Sequence, residues 1–207
     1  MIVSYSEDPR VILIKLADRL EVMRSLDIFP EAKRRTKSWE SLNLYAQIAH
    51  KLGLYAIKSE LEDLSLKYLE TEAYNHIVHE LKESEKERMA FIEEFLKPIR
   101  ELLDRDGLKY HIKSRTKSVY SIFQKMRKQK VSFKGVYDIF ALRIIIDCPV
   151  EREKALCWTV YSHVASLYTH NPERMRDWIS IPKSNGYESL HTTVSAGGGK
   201  WVEVQIR

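Results

Sequence analysis

The spacing of apolar residues changes near the middle of this chain, and that change limits its fold more than any other feature. Over residues 8–103, apolar side chains recur at steps of three and four, which is typical of helices. Asp106 and Gly107 then end the helical pattern. Beyond them, short runs such as 140–146 are apolar throughout or alternate, as strands do. The sequence therefore predicts an α+β protein, in which an all-helical N-terminal part is followed by a mixed β-sheet flanked by helices.

The same patterns predict the individual elements. The predicted helices are 8–26, 39–52, 55–69, about 71–103, 117–128 and 151–168. We expect Pro98 to kink or divide the long helix, because proline lacks the N–H donor and crowds the preceding turn. The predicted strands are 109–114, 140–146, 178–181, 190–195 and 201–206, with a glycine-rich hairpin turn at 196–200.

Charge is distributed unevenly along the chain. Residues 1–107 carry 17 basic and 21 acidic side chains, whereas residues 108–207 carry 17 basic and 8 acidic ones. The two parts therefore have different electrostatic roles, and we predict a domain boundary near Gly107, giving domains 1–107 and 108–207. Cys148 and Cys157 form neither a metal-binding nor a redox pattern, and no apolar run reaches membrane-spanning length. A cytoplasmic protein without a membrane partner is therefore expected.

The basic residues of the second part are concentrated in one run. Nine of them stand between Leu108 and Tyr137 without an acidic residue, and the run ends at Asp138. Cations offset phosphate charge and a carboxylate can hold magnesium, so this pattern suits a nucleotide polyphosphate with its metal ion. On charge alone, a solvated basic face or an RNA-docking patch is slightly favoured.

The predicted helix 117–128 carries two different stripes. One is apolar, and the other contains Lys117, Ser121, Lys125 and Lys128 at steps of four and three. Arg115 stands just before this helix, where its planar guanidinium could bind phosphate or stack on a base. A surface helix with ordinary lysines is the alternative.

Two carboxylates are placed on different predicted strands. Asp138 opens the strand 140–146, and Glu203 lies within 201–206, on the same face as Trp201 and Gln205. Two such acids can share a magnesium ion, or one can bind metal while the other takes a proton from an attacking hydroxyl. Taken singly, each would more often be an ordinary surface acid.

The loop 182–187 brings a cation, an amide and an aromatic ring together. Lys183 could contact a phosphate, Asn185 a sugar or phosphate, and Tyr187 could stack on a base. His191 follows on the next predicted strand and could bind phosphate, although a structural histidine is the commoner case.

Taken together, these segments resemble a known family. Residues 114–126, 137–143, 177–192 and 203–207, in this order, resemble the synthetase domain of RelA/SpoT alarmone enzymes. Residues 15–20 resemble the last metal-ligand motif of the family's HD-type hydrolase domain, and 45–53 and 60–64 resemble its helical connector. The resemblance covers essentially the whole chain and implies a synthetase fold similar to nucleotidyltransferases.

The resemblance implies a GTP pyrophosphokinase that moves the β,γ-pyrophosphoryl group of ATP onto the ribose 3′-hydroxyl of GTP or GDP, yielding AMP and (p)ppGpp. ATP would be bound by Arg115, Lys117, Ser121 and Lys125. The guanine nucleotide would be bound by Lys183, Asn185, Tyr187, His191 and Gln205. Asp138 and Glu203 would hold Mg²⁺, with Glu203 also activating the 3′-hydroxyl. Arg174 and Arg176 would add phosphate contacts.

The chain also departs from the family pattern. The family's hydrolase holds Mn²⁺ with an upstream histidine, a His-Asp pair and a later aspartate, and only the later one, Asp18, has a counterpart here. Glu21 and Val22 stand where the family usually has His-Asn. We therefore expect a vestigial hydrolase part without Mn²⁺, and a synthetase domain that continues beyond Arg207 in the parent protein.

Two other functions stay open on the sequence. One is a catalytically inactive regulatory module that still binds nucleotides. The other is an RNA- or ribosome-binding module that uses the basic run 109–134, which would show a steep salt dependence. Family members do work with ribosomes, but through regions that this sequence does not contain.

Overall fold

The computed structural model describes residues 8–136, 138–183, 186–198 and 200–207. The chain packs into two compact units, Met1–Glu80 with Ser118–Lys130, and Leu81–Lys117 with Val131–Arg207. The first unit is helical and the second contains a β-sheet. The predicted order, a helical N-terminal part followed by a mixed sheet with helices, is confirmed. Within the described part of the chain, no helix is both long enough and apolar enough to cross a membrane.

The described part of the first unit is built from four consecutive helices, most of a fifth, and one that comes later in the chain. They are α1 (Pro9–Arg24), α2 (Glu31–Glu40), α3 (Ala46–Lys51), α4 (Tyr55–Leu69), residues 71–80 of α5 (Thr71–Glu83) and α7 (Val119–Gln129), with a π-helical stretch at Ser41–Tyr45. The core of this unit is formed by Leu16, Leu20, Met23, Leu26, Ala46, Ala49 and Leu61. These residues recur at helical spacing, so their burial follows from the sequence pattern.

The second unit contains a five-stranded sheet and two long helices. The strands are β1 (Tyr110–Thr116), β2 (Phe140–Ile146), β3 (Arg176–Asp177), β4 (Leu190–Ser195) and β5 (Trp201–Ile206), in the order β1-β2-β5-β4-β3. Only β2 and β5 pair in parallel among these strands of the described residues. Two helices, α6 (Glu85–Arg105) and α8 (Val150–Leu167), contribute to the core of this unit.

Alternation along the central strands separates core from exposed face. In β2, Leu142 and Ile144 are fully buried, and in β5 Val202 and Val204 are as well. The intervening side chains of both strands are only partly buried and point to the opposite face. That second face positions the polar residues considered below.

The long helix predicted over 71–103 is divided, but not at Pro98. The structure has α5 (Thr71–Glu83) and α6, with the break at Ser84, and Pro98 lies inside α6. The Arg88 guanidinium donates to the Leu81 carbonyl at the end of α5 and to Ser84 Oγ, which stabilises the break. Around Pro98, burial of Phe95 and Ile99 keeps the helix continuous, because tertiary packing overrides local propensity.

The strand predicted over 178–181 is wrong. The strand at this position is the two-residue β3, and the chain turns directly after it. The Asp177 carboxylate accepts hydrogen bonds from the backbone N–H groups of Ile179 at 3.1 Å and Ser180 at 2.8 Å. An aspartate that binds its own downstream backbone favours a turn over an extended strand.

The division by packing also differs from the boundary predicted near Gly107. Helix α6 precedes Gly107 but belongs to the unit that contains the sheet, and α7 follows it but belongs to the helical unit. For α6 the reason is its apolar face, where Phe95, Ile99 and Leu103 join the core of the second unit.

Candidate functional site

The register of the sheet brings polar side chains from separate parts of the sequence into one row. Arg143 of β2 is paired with Gln205 of β5, and Gln205 is paired with His191 of β4. Glu203 lies two residues before Gln205 and therefore on the same face. A basic, an amide, an imidazole and a carboxyl side chain thus meet on the half-buried face of the second unit.

Asp138 and Glu203 converge on one ammonium group. Lys117 Nζ lies 3.3 Å from Asp138 Oδ2 and 3.6 Å from Glu203 Oε2. The three side chains are 20%, 16% and 25% exposed, respectively. Lys117 is fixed through its backbone, since its N–H donates to the Ile139 carbonyl at 2.8 Å. The two acids, 65 positions apart in the sequence, therefore face the same side and the same cation.

This carboxylate pair fits a magnesium ion. Magnesium is usually held by one or two carboxylates, with substrate phosphates and water completing its octahedral shell. The pair is partly exposed, and its acids already attract a cation, the Lys117 ammonium. Among the residues that the structure describes, no group of three or more histidine, cysteine, aspartate or glutamate side chains could hold a metal. The donor set thus suits an ion that arrives with its nucleotide better than a closed, all-protein metal cage.

Glu203 is oriented by two further neighbours. Gln205 Nε2 donates to Glu203 Oε1 at 2.9 Å, and His191 Nδ1 lies 3.5 Å from the same oxygen. Burial lowers the pKa of His191, an effect that the nearby Glu203 carboxylate opposes. His191 therefore favours its neutral form, in which one ring nitrogen accepts a hydrogen bond and the other donates one.

Arg143 is a part of this network to which the sequence reasoning assigned no role. Its Nε and Nη2 atoms donate to Gln205 Oε1 at 3.2 and 2.9 Å. Gln205 thereby connects the Arg143 guanidinium to the Glu203 carboxylate. A signal was present, since a lone arginine at an alternating position inside an otherwise apolar strand requires a polar partner.

A second cluster surrounds Tyr187. Its hydroxyl lies 2.9 Å from His191 Nε2, and the Lys183 ammonium lies 5.3 Å from the centre of its ring. Lys183 also lies 4.7 Å from the ring centre of Trp178. Tyr187 borders a cavity of about 540 Å³, which Cys148 and Arg207 also line. Three of the residues predicted for the guanine nucleotide are therefore neighbours, while Asn185 lies outside the described residues.

The predicted arginines occupy different positions. Arg115 is exposed on β1, where it is paired with Ala141, which in turn is paired with Glu203. Arg176 on β3 is paired with His191, but its Nη1 donates to the carbonyls of Glu173 and Met175. Arg174 is exposed at the end of the 3₁₀-turn Pro172–Arg174. No contact described here joins Arg174 or Arg176 to the carboxylate pair.

The remaining predicted residues lie on helices of the first unit. Ser121 and Lys125 are on α7, one turn apart, and Ser121 Oγ accepts a hydrogen bond from Ser118 Oγ at 2.9 Å. Asp18, the predicted vestigial hydrolase ligand, is exposed on α1.

Comparison with known sequences found a family match in each half of the chain. Residues 114–207 match the region found in RelA / SpoT proteins, and residues 1–55 match an HD domain. Across its whole length the chain is 42% identical to the guanosine-3′,5′-bis(diphosphate) 3′-pyrophosphohydrolase of Aquifex aeolicus, and 40% identical to the GTP pyrophosphokinase of Myxococcus xanthus. It covers 29% and 27% of those proteins, so it spans less than a third of the curated relatives it matches.

One solved structure is also similar. The small alarmone synthetase 1 from Bacillus subtilis, bound to its product pppGpp, is 26% identical over 58% of this chain and 68% of that one, with a TM-score of 0.39. With an HD-domain sequence at 1–55 and the RelA / SpoT region at 114–207, this chain belongs to the RelA/SpoT family and contains its synthetase region.

Proposed function

We propose that this chain carries a GTP pyrophosphokinase site, which transfers the β,γ-pyrophosphoryl group of ATP to the 3′-hydroxyl of GTP or GDP. The observation that carries the proposal is the convergence of Asp138 and Glu203 on the Lys117 ammonium. Membership of the RelA/SpoT family supports it, as does the likeness to a relative named GTP pyrophosphokinase. The products would be AMP and (p)ppGpp.

Binding of ATP, the pyrophosphoryl donor, would depend on neutralising the negative charge of its phosphates. Asp138 and Glu203 would hold Mg²⁺, which when bound offsets the negative charge of the transferring phosphates. Lys117 is close enough to both acids to exchange its carboxylate contacts for phosphate oxygens when nucleotide enters. Arg115, Ser121 and Lys125 would bind the rest of ATP, with Arg115 near the adenine. Positioning and electrostatics supply most of the rate enhancement in such transfers.

The acceptor, GTP or GDP, would need its guanine held by stacking and its 3′-hydroxyl activated for attack. Tyr187 would stack on guanine, and Lys183, His191 and Asn185 would contact its sugar and phosphates. Glu203 would accept the proton of the 3′-hydroxyl while the oxygen of that hydroxyl attacks the β-phosphorus of ATP. AMP would leave. Gln205 and His191 hold Glu203 in place for this step through their contacts with Oε1.

We further propose that hydrolysis of (p)ppGpp is not performed by this chain. Several relatives are named pyrophosphohydrolases, but here Asp18 is exposed and is followed by Glu21 and Val22 in place of the family's usual His-Asn. Mn²⁺ is therefore not part of the proposed chemistry.

The test is formation of labelled pentaphosphate from ATP, GTP and Mg²⁺, separated by thin-layer chromatography. It is run with the 207-residue chain and, since the relatives are longer, with a polypeptide that extends past Arg207. Glu203→Gln provides the inactive control, and Glu101→Gln on the exposed side of α6 the matched active one. Nucleotide binding without product would indicate a regulatory module. Salt-sensitive RNA binding that GTP does not affect would indicate an RNA module.

A further inference from the structure

The first turn of α7 has its backbone N–H groups bound by two different side chains. Ser118, the N-cap residue, accepts from the N–H of Ser121 at 3.2 Å. Asp63 Oδ1 accepts from the N–H of Tyr120 at 2.8 Å, and the N–H of Val119 is also bound by Asp63. These are the N–H groups that a helix cannot satisfy internally, so a helix start depends on such partners.

Asp63 is remote in sequence but belongs to the same compact unit. It lies on α4, 57 positions before Tyr120, and both residues are in the helical unit. Its neighbours on α4 hold it firmly, since Leu61 and Leu66 are buried and Glu62 pairs with Lys58 at 3.0 Å. The carboxylate that caps α7 is therefore anchored in the part of the chain that resembles the family's connector.

The contact is made by a charged group in a partly buried place. Burial raises the pKa of Asp63, while the hydrogen bonds from Tyr120 and Val119 oppose that rise. The charged form of Asp63 is stabilised by those N–H donors, and the N–H groups at the start of α7 are satisfied by Asp63. Because the N–H groups are already engaged, the start of α7 is not open as a phosphate-binding site of the kind common at helix N-termini.

We infer that Asp63 is a positioning residue for the ATP donor: it fixes α7 on α4, and thereby fixes the place of Ser121 and Lys125. This inference rests on the proposed function, in which those two residues bind ATP. It goes beyond that function by assigning control of the donor side to a residue of the connector helix. The predicted acceptor residues Tyr187 and His191 belong to the other compact unit.

The inference predicts a selective kinetic effect. Asp63→Ala should raise the KM for ATP severalfold, because the start of α7, which carries Ser121, would lose a cap worth about fivefold in helix stability. The KM for GTP should stay as in the wild type. Asp63→Asn keeps an acceptor oxygen and should restore most of the lost ATP affinity. Glu60→Gln, three residues earlier on α4, is the matched control, because Glu60 pairs with Arg24 and not with α7.

Amide hydrogen exchange makes the test independent of activity. In Asp63→Ala, the amides of Val119 and Tyr120 should exchange about fivefold faster or more, and in Asp63→Asn they should stay close to wild type. If the wild type makes no pentaphosphate, the proposed function fails, and equilibrium binding of ATP takes the place of its KM. Should Asp63→Ala fail to fold, Asp63→Glu, which displaces the carboxylate by one methylene group, should give smaller changes of the same kind.

Three results would overturn the inference. The first is unchanged exchange of α7 in Asp63→Ala, which would show that the contact does not hold the helix. The second is faster exchange with unchanged ATP affinity, and the third is an equal loss of ATP and GTP affinity. Either of these would show a structural role without donor positioning.

Discussion

At the scale of single residues, the site depends on Lys117. Its ammonium lies 3.3 Å from the Asp138 carboxylate and 3.6 Å from the Glu203 carboxylate. Like charges close together repel, so a cation that contacts both acids reduces the repulsion between them. Lys117 and Mg²⁺ are, in this account, alternative partners of the same acids.

Replacing this lysine should make stability depend on magnesium. In Lys117→Met, Asp138 and Glu203 lose the cation that they share, so the stability should fall by about 1 kcal/mol, and millimolar Mg²⁺ should recover much of that loss. The measurement is thermal unfolding with and without Mg²⁺. Lys113→Met, an exposed position on β1 just before Lys117, is the control. An equal response of both variants to Mg²⁺ would contradict the shared role of Lys117 and the ion.

His191 should make stability sensitive to acid. Burial lowers its pKa in the folded protein, so below the ordinary histidine pKa the unfolded chain binds the proton more readily. The free energy of unfolding therefore decreases as the pH falls from the ordinary histidine pKa toward the lower pKa that His191 has in the folded protein. His191→Gln should lose less Tm than the wild type between about pH 7.5 and about pH 5.5. An identical pH dependence in both proteins, with exposed His79→Gln as control, would show that His191 does not cause the loss.

At the scale of elements, hydrophobic spacing predicted most helices and strands. It missed most of α2, whose sequence is nearly all polar, and local turn chemistry caused two further errors. Helix α4 and strands β2, β4 and β5 lie where the spacing placed them. The break at Ser84 and the turn after Asp177 depend on particular side-chain contacts that no periodic pattern reveals. The helix is not divided at Pro98, because the buried face of α6 holds the helix together around it.

That explanation of α6 can be checked directly. Pro98 provides no N–H for the helix, so Pro98→Ala should add a hydrogen bond and stabilise the protein by about 1 kcal/mol or more. The measurement is the free energy of unfolding from urea titration. Lys97→Ala, an exposed neighbour on the same helix, should change it by less. A loss of stability in Pro98→Ala would mean that the proline ring itself packs favourably.

The candidate site was predictable in its residue types but not in its connections. Asp138, Glu203 and Lys117 were named from charge, alternation and family resemblance, and the structure brings them together. The link from Arg143 through Gln205 to Glu203 depends on the parallel pairing of β2 with β5, and strand order cannot be read from spacing. The Asp63 contact with α7 likewise depends on a tertiary fold that joins distant segments.

At the scale of the whole molecule, the basic residues are grouped by position in the sequence and not by compact unit. Residues 108–207 carry the excess of basic side chains, yet α7, which holds several of them, packs with the helical unit. A basic surface alone would suit RNA as well as nucleotides. The carboxylates within this basic region favour the nucleotide, because RNA phosphates gain nothing from nearby acids unless a metal ion lies between them.

The most direct test of the central claim is whether Asp138 and Glu203 hold the same ion. Mn²⁺ in place of Mg²⁺ can be counted by electron paramagnetic resonance in the presence of a non-hydrolysable ATP analogue, in Asp138→Asn, Glu203→Gln and the double variant. If the two acids share one ion, each single variant should lose nearly as much affinity as the double variant. Losses that simply add, or a single variant that binds the ion normally, would contradict the account.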